Sequence, residues 1–141
     1  MMLFSLLLTL AIPQMGFDQD KTVHHFHLYT DGGAIEVNTR DAKDTTERAA
    51  VRTHLSHIAT MFGEGDFASP MHVHGTKDVP GVAVLTARRS AITYRYAETA
   101  AGGRIDIVTT DGDALAALHD FLRYQIREHH TGDPLTIGTR R

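Results

Sequence analysis

The sequence has 141 residues, of which 42% are hydrophobic and 22% charged, with a formal net charge of −3. This length fits one domain with its own core, and the slightly acidic balance argues against binding to nucleic acid or acidic membranes. The absence of cysteine excludes disulfides, thiolate nucleophiles and sulfur-only metal sites. Ten histidines, several times the usual share, are the most distinctive feature of the composition.

The chain begins with an apolar run, MMLFSLLLTLAI, that ends at Pro13. The run is too short for a transmembrane helix, which needs about 20 residues, and it suits the apolar core of a secretory signal. We therefore predict a signal peptide at 1–16 and a periplasmic or secreted protein without a stable membrane span. A misassigned start codon, or an apolar segment docked on the domain, would also explain the run.

The single domain predicted at 17–141 contains two stretches that match each other seventy residues apart. GGAIEVNTRD at 32–41 and GGRIDIVTTD at 102–111 agree at five of ten positions. Self-similarity of this kind indicates duplication of one supersecondary unit. The domain then has three parts, a first copy, an insert and a second copy, at 22–66, 67–90 and 91–133.

Two strands are predicted to open each copy, joined as a hairpin. In the first strand, one face carries His24, Phe26 and Leu28, and the opposite face is polar. The Asp-Gly pair at 31–32 is typical of a two-residue hairpin turn and predicts Leu28 opposite Ile35. It also predicts Phe26 opposite Val37, so that the apolar residues share one face.

A helix is predicted after each hairpin. Asp44 or Thr45 can cap the first helix, and Asp111 or Asp113 the second. Apolar residues recur at helical spacing in both. These elements predict an α+β fold: a duplicated β-β-α unit that gives a four-stranded, mainly antiparallel sheet with two helices on one face. The polar face of the sheet is predicted to be uncovered.

Little regular structure is predicted for the insert between the two copies. The stretch GEGDFASPMHVHGTKDVPG, at 63–81, reads as a loop, and Pro70 favours an extended start for the residues that follow. A short helix is predicted at 82–89.

Two neighbouring groups of residues could bind one metal ion. His54, His57 and Met61 form a stripe on the first helix, beside its core stripe. A loop that folds back on this helix would add His72 or His74. Imidazole and thioether donors suit copper, as Cu(I) where Met61 ligates, whereas an all-imidazole set suits zinc. The alternative is that the stripe is a solvated helix edge.

Other histidines have plainer explanations. His25 and His27 should point to solvent from the polar face of the sheet. Glu36 is expected opposite His27, where the two side chains would form a cross-strand charge pair. Weak metal binding by His25 and His27 is an open alternative. His129 and His130 lie near the C-terminus of the second helix, where a cation is favourable.

Three stretches of the chain resemble other proteins. The first extends from His54 through Gly65-Asp66-Phe67 to Pro70 and His74. The other two are Ile92-x-Tyr94-x-Tyr96 and Phe121-Leu122-Arg123-Tyr124-Gln125-Ile126. Over about 23–135, the chain resembles a family of small uncharacterised bacterial proteins. Such chains are loosely called aspartate carbamoyltransferase. We reject that label because the sequence is much shorter than such a transferase needs and contains no carbamoyl-phosphate site. The family supplies no established activity.

These observations predict an exported metal-binding protein, with copper first and zinc second as the ion, and they lean against an enzyme. The sequence contains no His-Glu-x-x-His, no Gly-x-Ser-x-Gly and no phosphate-binding glycine-rich loop. Two alternatives stay open. One is a non-catalytic protein-interaction domain with pH-sensitive histidines, and the other is a small hydrolase that uses a metal-bound water.

Overall fold

The computed structural model describes residues 16–75 and 78–140, apart from the side chains of 71–73. The predicted signal peptide, up to residue 15, lies outside the described residues. Within the described ranges, no helix is both long and apolar enough to cross a membrane.

Both copies fold as two strands followed by a helix, as predicted. The strands and α-helices are, in chain order, β1 (Thr22–Tyr29), β2 (Gly32–Thr39), α1 (Thr45–Gly63), α2 (Ala68–His74), α3 (Val82–Ala87), β3 (Ile92–Thr99), β4 (Gly102–Thr109) and α4 (Gly112–Glu128). The strands form one antiparallel sheet in the order β1-β2-β4-β3. The predicted α+β class and the duplicated β-β-α unit are confirmed.

The predicted pairing within the first hairpin is wrong by two residues. Tyr29 pairs with Gly32, so the turn consists of residues 30–31, and Phe26 lies opposite Ile35. Gly32 belongs to β2 and not to the turn, since it pairs with Tyr29 and with Val108. The position requires glycine because a Cβ on it would lie 1.8 Å from the carbonyl oxygen of Ile107 in β4. An even shift keeps every side chain on its predicted face, so the core is unchanged.

Each long helix starts at an aspartate that caps it. Asp44 accepts a hydrogen bond from the Glu47 N–H at 3.0 Å, and Asp111 accepts one from the Ala114 N–H at 2.9 Å. Both interactions satisfy backbone donors that the first turn leaves free, and they confirm two of the predicted caps.

The helices cross over between the copies and cover one face of the sheet. α1 packs mainly against β3 and β4, whereas α4 packs mainly against β1 and β2. Each copy therefore buries its helix on the hairpin of the other copy, and the core between them is shared. Among its fully buried side chains are Val37, Val51, Ile105, Ile107, Leu118, Phe121 and Leu122.

The first part of the insert is helical, which corrects the prediction of a loop. The Asp66 carboxylate accepts a hydrogen bond from the Ala68 N–H at 3.0 Å and so supports the start of α2. Pro70 lies in the first turn, where its missing N–H has no partner to lose. Phe67 anchors the insert, with its ring stacked 4.3 Å from that of Phe62. The predicted short helix at 82–89 is confirmed as α3.

The polar face of the sheet is not covered by helices, but the C-terminal segment lies over its β1 side. Gly138 pairs with Tyr29 in a parallel bridge. Arg140 lies 4.5 Å from the centre of the Tyr29 ring and donates to the Asp106 carboxylate at 2.7 Å. The prediction of an uncovered polar face is therefore wrong at this edge. The side chains of His25 and His27 are only 41% and 32% exposed.

Candidate functional site: a cavity lined by four histidines

Four histidines from four elements line one cavity of about 60 Å³ between the helices and the sheet. His24 comes from β1, His54 from α1, His74 from the end of α2 and His129 from the residue that follows α4. The other lining residues are mostly apolar: Phe26, Ile35, Val37, Leu55, Ile58, Phe62, Ser69, Pro70, Phe121 and Gln125. No Asp, Glu, Lys or Arg side chain is among the lining residues that the structure describes.

Local structure fixes where these imidazoles lie. His24 is on the helix-facing side of β1, opposite Val37. His129 is the C-cap of α4, held by a hydrogen bond from its N–H to the Gln125 carbonyl at 2.9 Å. The alternation of β1 indicates the direction of His24, and the core stripe of α4 passes close to His129. Sequence reasoning nevertheless gave both residues other roles, because the distance between β1 and the end of α4 is not visible in the sequence.

The rings are close to one another. The ring centres of His24 and His129 lie 5.2 Å apart with an interplanar angle of 18°. The His74 ring is also 5.2 Å from that of His129, at 81°. Phe17 closes the same region, 5.7 Å from His24 and 5.3 Å from His54, and is only 2% exposed. The four imidazoles therefore form one continuous cluster with Phe17.

Two polar atoms on the cavity wall have no hydrogen-bond partner in the described structure. His74 Nε2 and Gln125 Oε1 lie 2.9 Å apart and form a hydrogen bond. The amide nitrogen of Gln125 and Nε2 of His24 are buried without a partner. Buried polar atoms of this kind are uncommon, since each costs about 1–3 kcal/mol when left unpaired.

Three of the imidazoles in the cavity are kept neutral by their surroundings. Burial, together with repulsion from the nearby imidazoles of His129 and His54, lowers the pKa of His24 from 6.5 to about 4. Burial is also the main cause that lowers the pKa of His54 and of His129 to about 4, and repulsion from His57 and from His74 respectively contributes to these values. At pH 7 these side chains are therefore uncharged, and each has a nitrogen lone pair available.

The predicted ligand pool is only partly brought together. His54 and His74 share the cavity. His57 is exposed and lines a separate surface groove beside Tyr96 and Glu98. Met61 is half-buried and does not line the cavity, and the side chain of His72 lies outside the described residues.

His25, His27 and His119 make structural contacts. His25 Nδ1 lies 2.9 Å from the Asp133 carboxylate. Glu36 pairs with His25 and not with His27 in the strand register, although its carboxylate is 4.0 Å from His27 Nε2. Buried His119 bonds through Nε2 to the Tyr29 and Gly32 carbonyls at 2.9 Å, and so holds the first hairpin turn.

In the described part of the chain, no group of three or more His, Cys, Asp or Glu side chains already has the geometry of a metal site. The cavity is therefore a cluster of suitable donors and not a formed coordination sphere. Comparisons with protein-family models, with curated proteins and with solved structures returned no match. The resemblance to a bacterial family stays a prediction.

Proposed function

We propose that this protein binds a transition-metal ion, copper first and zinc second, with His24, His54, His74 and His129 as ligands. The observation that carries the proposal is the convergence of four imidazoles from four separate elements on one cavity. Burial has already removed the proton that competes with a metal ion, so binding needs little deprotonation at neutral pH.

The spacing of the rings supports this proposal. A ligating imidazole nitrogen lies about 2.0–2.1 Å from the ion, which places the ring centres of two tetrahedral ligands about 5 Å apart. Two pairs in the cluster, His24 with His129 and His74 with His129, have a separation of 5.2 Å. The nearly parallel rings of His24 and His129 have to rotate before their nitrogens can face one ion. His74 can bind the ion through Nδ1 and keep the bond from Nε2 to Gln125.

The donor set decides which ions are suitable. Imidazole nitrogen binds both copper and zinc, and Cu(II) exceeds Zn(II) in affinity at comparable geometry. The thioether that would favour Cu(I) is not part of the cavity, because Met61 does not line it. Copper is therefore proposed as Cu(II), and the apolar segment at 1–16 supports binding outside the cytoplasm.

Calorimetric titration of the EDTA-treated protein with Cu(II) and Zn(II) tests this proposal. We expect one ion per chain. His24→Gln combined with His129→Gln should abolish this stoichiometric binding, because the two substitutions remove half of the ligands. His25→Gln combined with His27→Gln is the matched control, since both residues lie on the other face of the sheet, and it should bind normally. One equivalent bound with unchanged affinity by a folded His24/His129 variant would refute the proposal.

A further inference from the structure

The two edge strands of the sheet, β1 and β3, differ in what lies along their outer edges. On β1, the Phe26 N–H donates to the Asp133 carboxylate at 3.0 Å, and the Leu28 carbonyl accepts from the Gly138 N–H at 2.8 Å. The segment that follows α4 therefore occupies the outer edge of β1. It satisfies backbone groups that would otherwise be free to pair with a further strand.

The outer edge of β3 has the same geometry without that cover. One row of paired residues crosses the four strands: Phe26, Ile35, Ile105 and Tyr96. Because the Phe26 N–H points outward, the alternation of hydrogen-bonded pairs directs the N–H and carbonyl of Tyr96 outward at the opposite edge. Tyr94 and Glu98, two residues away on either side, do the same. Among the described residues, no hydrogen-bond partner meets the outward groups of these three residues.

The duplication explains why β3 is open. Asp66 follows a glycine shortly after α1, as Asp133 follows one shortly after α4. Asp133 turns back to its edge strand, whereas the Asp66 carboxylate accepts from the Ala68 N–H at 3.0 Å and the chain continues into α2. The carboxylate that corresponds to the cover of β1 therefore serves the insert, and β3 is left unpaired.

A surface groove lies between α1 and this edge of β3. The hydroxyl groups of Thr53, Ser56 and Thr60 line it, and Tyr96 and Glu98 form its β3 side. A strand that pairs with β3 directs alternate side chains into the groove and the others onto the polar face of the sheet. Small hydroxyl-bearing side chains suit the groove side.

On the polar face, Arg95 defines the charge of a matching strand. Arg95 is exposed, and in the described structure its side chain has no hydrogen bond or ion pair. Its cross-strand neighbour Asp106 is already bonded to Arg104 at 3.0 Å and to Arg140 at 2.7 Å. Opposite residues of paired strands share a face, and opposite charges there are stabilising. The β3 strand of a second copy cannot supply the acid, because its Glu98 lies on the other face.

We infer that the outer edge of β3 binds an extended acidic segment of another protein, which adds a fifth strand to the sheet and sets a Glu or Asp side chain opposite Arg95. The inference goes beyond the proposed metal site and does not depend on it. None of the four proposed ligands lies on β3 or lines the groove.

The experiment is an NMR titration of the metal-free full chain with the peptide TTVTETV, acetylated and amidated at its ends. Paired antiparallel to β3, this peptide sets its glutamate opposite Arg95 and directs three threonines into the groove. We expect saturable shifts of the backbone amides of Tyr94, Tyr96 and Glu98. The peptide TTVTKTV should bind about fivefold more weakly, since it replaces an attractive cross-strand pair by a repulsive one.

Two sets of variants separate strand addition from general charge effects. Arg95→Glu should reverse the preference between the two peptides. Arg127→Glu changes the net charge equally at an exposed position on α4 and should keep the preference. Methylating the backbone nitrogens of the two peptide threonines opposite Tyr94 and Tyr96 should abolish binding, because these N–H groups donate to β3. Methylating the backbone nitrogens of the two valines should have little effect, because theirs point away from β3.

Three results would overturn the inference. The first is equal affinity of the wild-type protein for the two peptides, and the second is equal loss of binding from either pair of methyl groups. The third is a dimer, detected by sedimentation in the absence of peptide, that broadens the amide signals of Tyr94, Tyr96 and Glu98. That result would assign the edge of β3 to a second copy of the chain.

Discussion

Ile35 of β2 lies directly opposite Ile105 of β4 at the centre of the sheet, and both side chains are buried. The two residues are also equivalent positions of the two sequence copies, seventy residues apart. The pairing of β2 with β4 is therefore symmetrical about this pair, as a pseudo-twofold axis through the sheet requires. One chain makes here the kind of self-complementary contact that two identical subunits make in a twofold dimer.

This symmetry predicts similar costs for truncating either member of the pair. Ile35→Ala and Ile105→Ala should each lower the free energy of unfolding by about 2–5 kcal/mol, because each leaves a cavity between the sheet and the helices. Urea denaturation followed by circular dichroism would measure the change. Val108→Ala is the control: Val108 is on β4 but 38% exposed, and its loss should cost about 0.5 kcal/mol or less. A similar cost for Val108 would show that the centre of the sheet has no special role.

The position of α1 predicts different roles for His54 and His57, which share a helix stripe in the sequence. His54→Gln should weaken Cu(II) or Zn(II) binding by at least about tenfold, since truncating one ligand typically costs more than 1.4 kcal/mol. His57→Gln should leave the affinity nearly unchanged, because its side chain is exposed in another groove. Competition with a chromophoric chelator can measure both. Loss of binding in the His57 variant alone would place the ion on the helix surface.

The lowered histidine pKa values predict loss of stability in mild acid. In the unfolded chain these imidazoles titrate near 6.5, whereas in the folded protein the pKa of His24, His54 and His129 is about 4. Between these values the unfolded chain binds more protons, so the free energy of unfolding falls as the pH falls from about 6.5 to about 4. At 1.36 kcal/mol per pKa unit, each of the three groups should contribute up to about 3 kcal/mol of this loss.

Urea denaturation of metal-free protein at pH 7.5, 6.0 and 5.0 would measure this dependence. His129→Leu is the informative variant, because it removes one titrating group from the cavity and should flatten the slope. A free energy of unfolding that stays constant between pH 7.5 and 5.0 would mean that these imidazoles are not buried as described.

Asp133 is predicted to stabilise the outer edge of β1. Its carboxylate accepts from the Phe26 N–H at 3.0 Å and lies 2.9 Å from His25 Nδ1. Burial alone would raise the pKa of Asp133, but the hydrogen bonds with Thr131, Phe26 and His25 together outweigh burial and lower it. Asp133→Ala should therefore cost about 1–3 kcal/mol, since it leaves the Phe26 N–H without a partner.

Thermal unfolding would measure that cost, with Asp120→Ala as the control. The side chain of Asp120 is 66% exposed on α4 and pairs only loosely with Arg123 at 3.8 Å, so its loss should be nearly neutral. The contribution of the Asp133 carboxylate to the free energy of unfolding should also disappear as the pH falls through the lowered pKa of Asp133. The reason is that the protonated acid no longer accepts hydrogen bonds as a charged group. An Asp133 variant as stable as the Asp120 variant would contradict this role.

The sequence by itself determined the class of fold and the inward face of each strand and long helix. Alternation and helical periodicity are local, and the repeated Gly-Gly segments at 32 and 102 reveal the duplication without any knowledge of packing. The caps at Asp44 and Asp111 are local as well. A register error of two residues left these conclusions intact because strand side chains alternate with a period of two.

Only the tertiary structure decided which histidines meet. The sequence grouped His54 with His57 because they are neighbours on one helix, but residues that share a helix edge need not face the same space. His24 and His129 join His54 because α4 crosses onto the first hairpin and returns its C-terminus to β1, a contact between residues more than a hundred positions apart. The helix at 68–74 was likewise missed because its stability depends on Phe67 packing against Phe62 and not on its own seven residues, which are too few for an isolated helix.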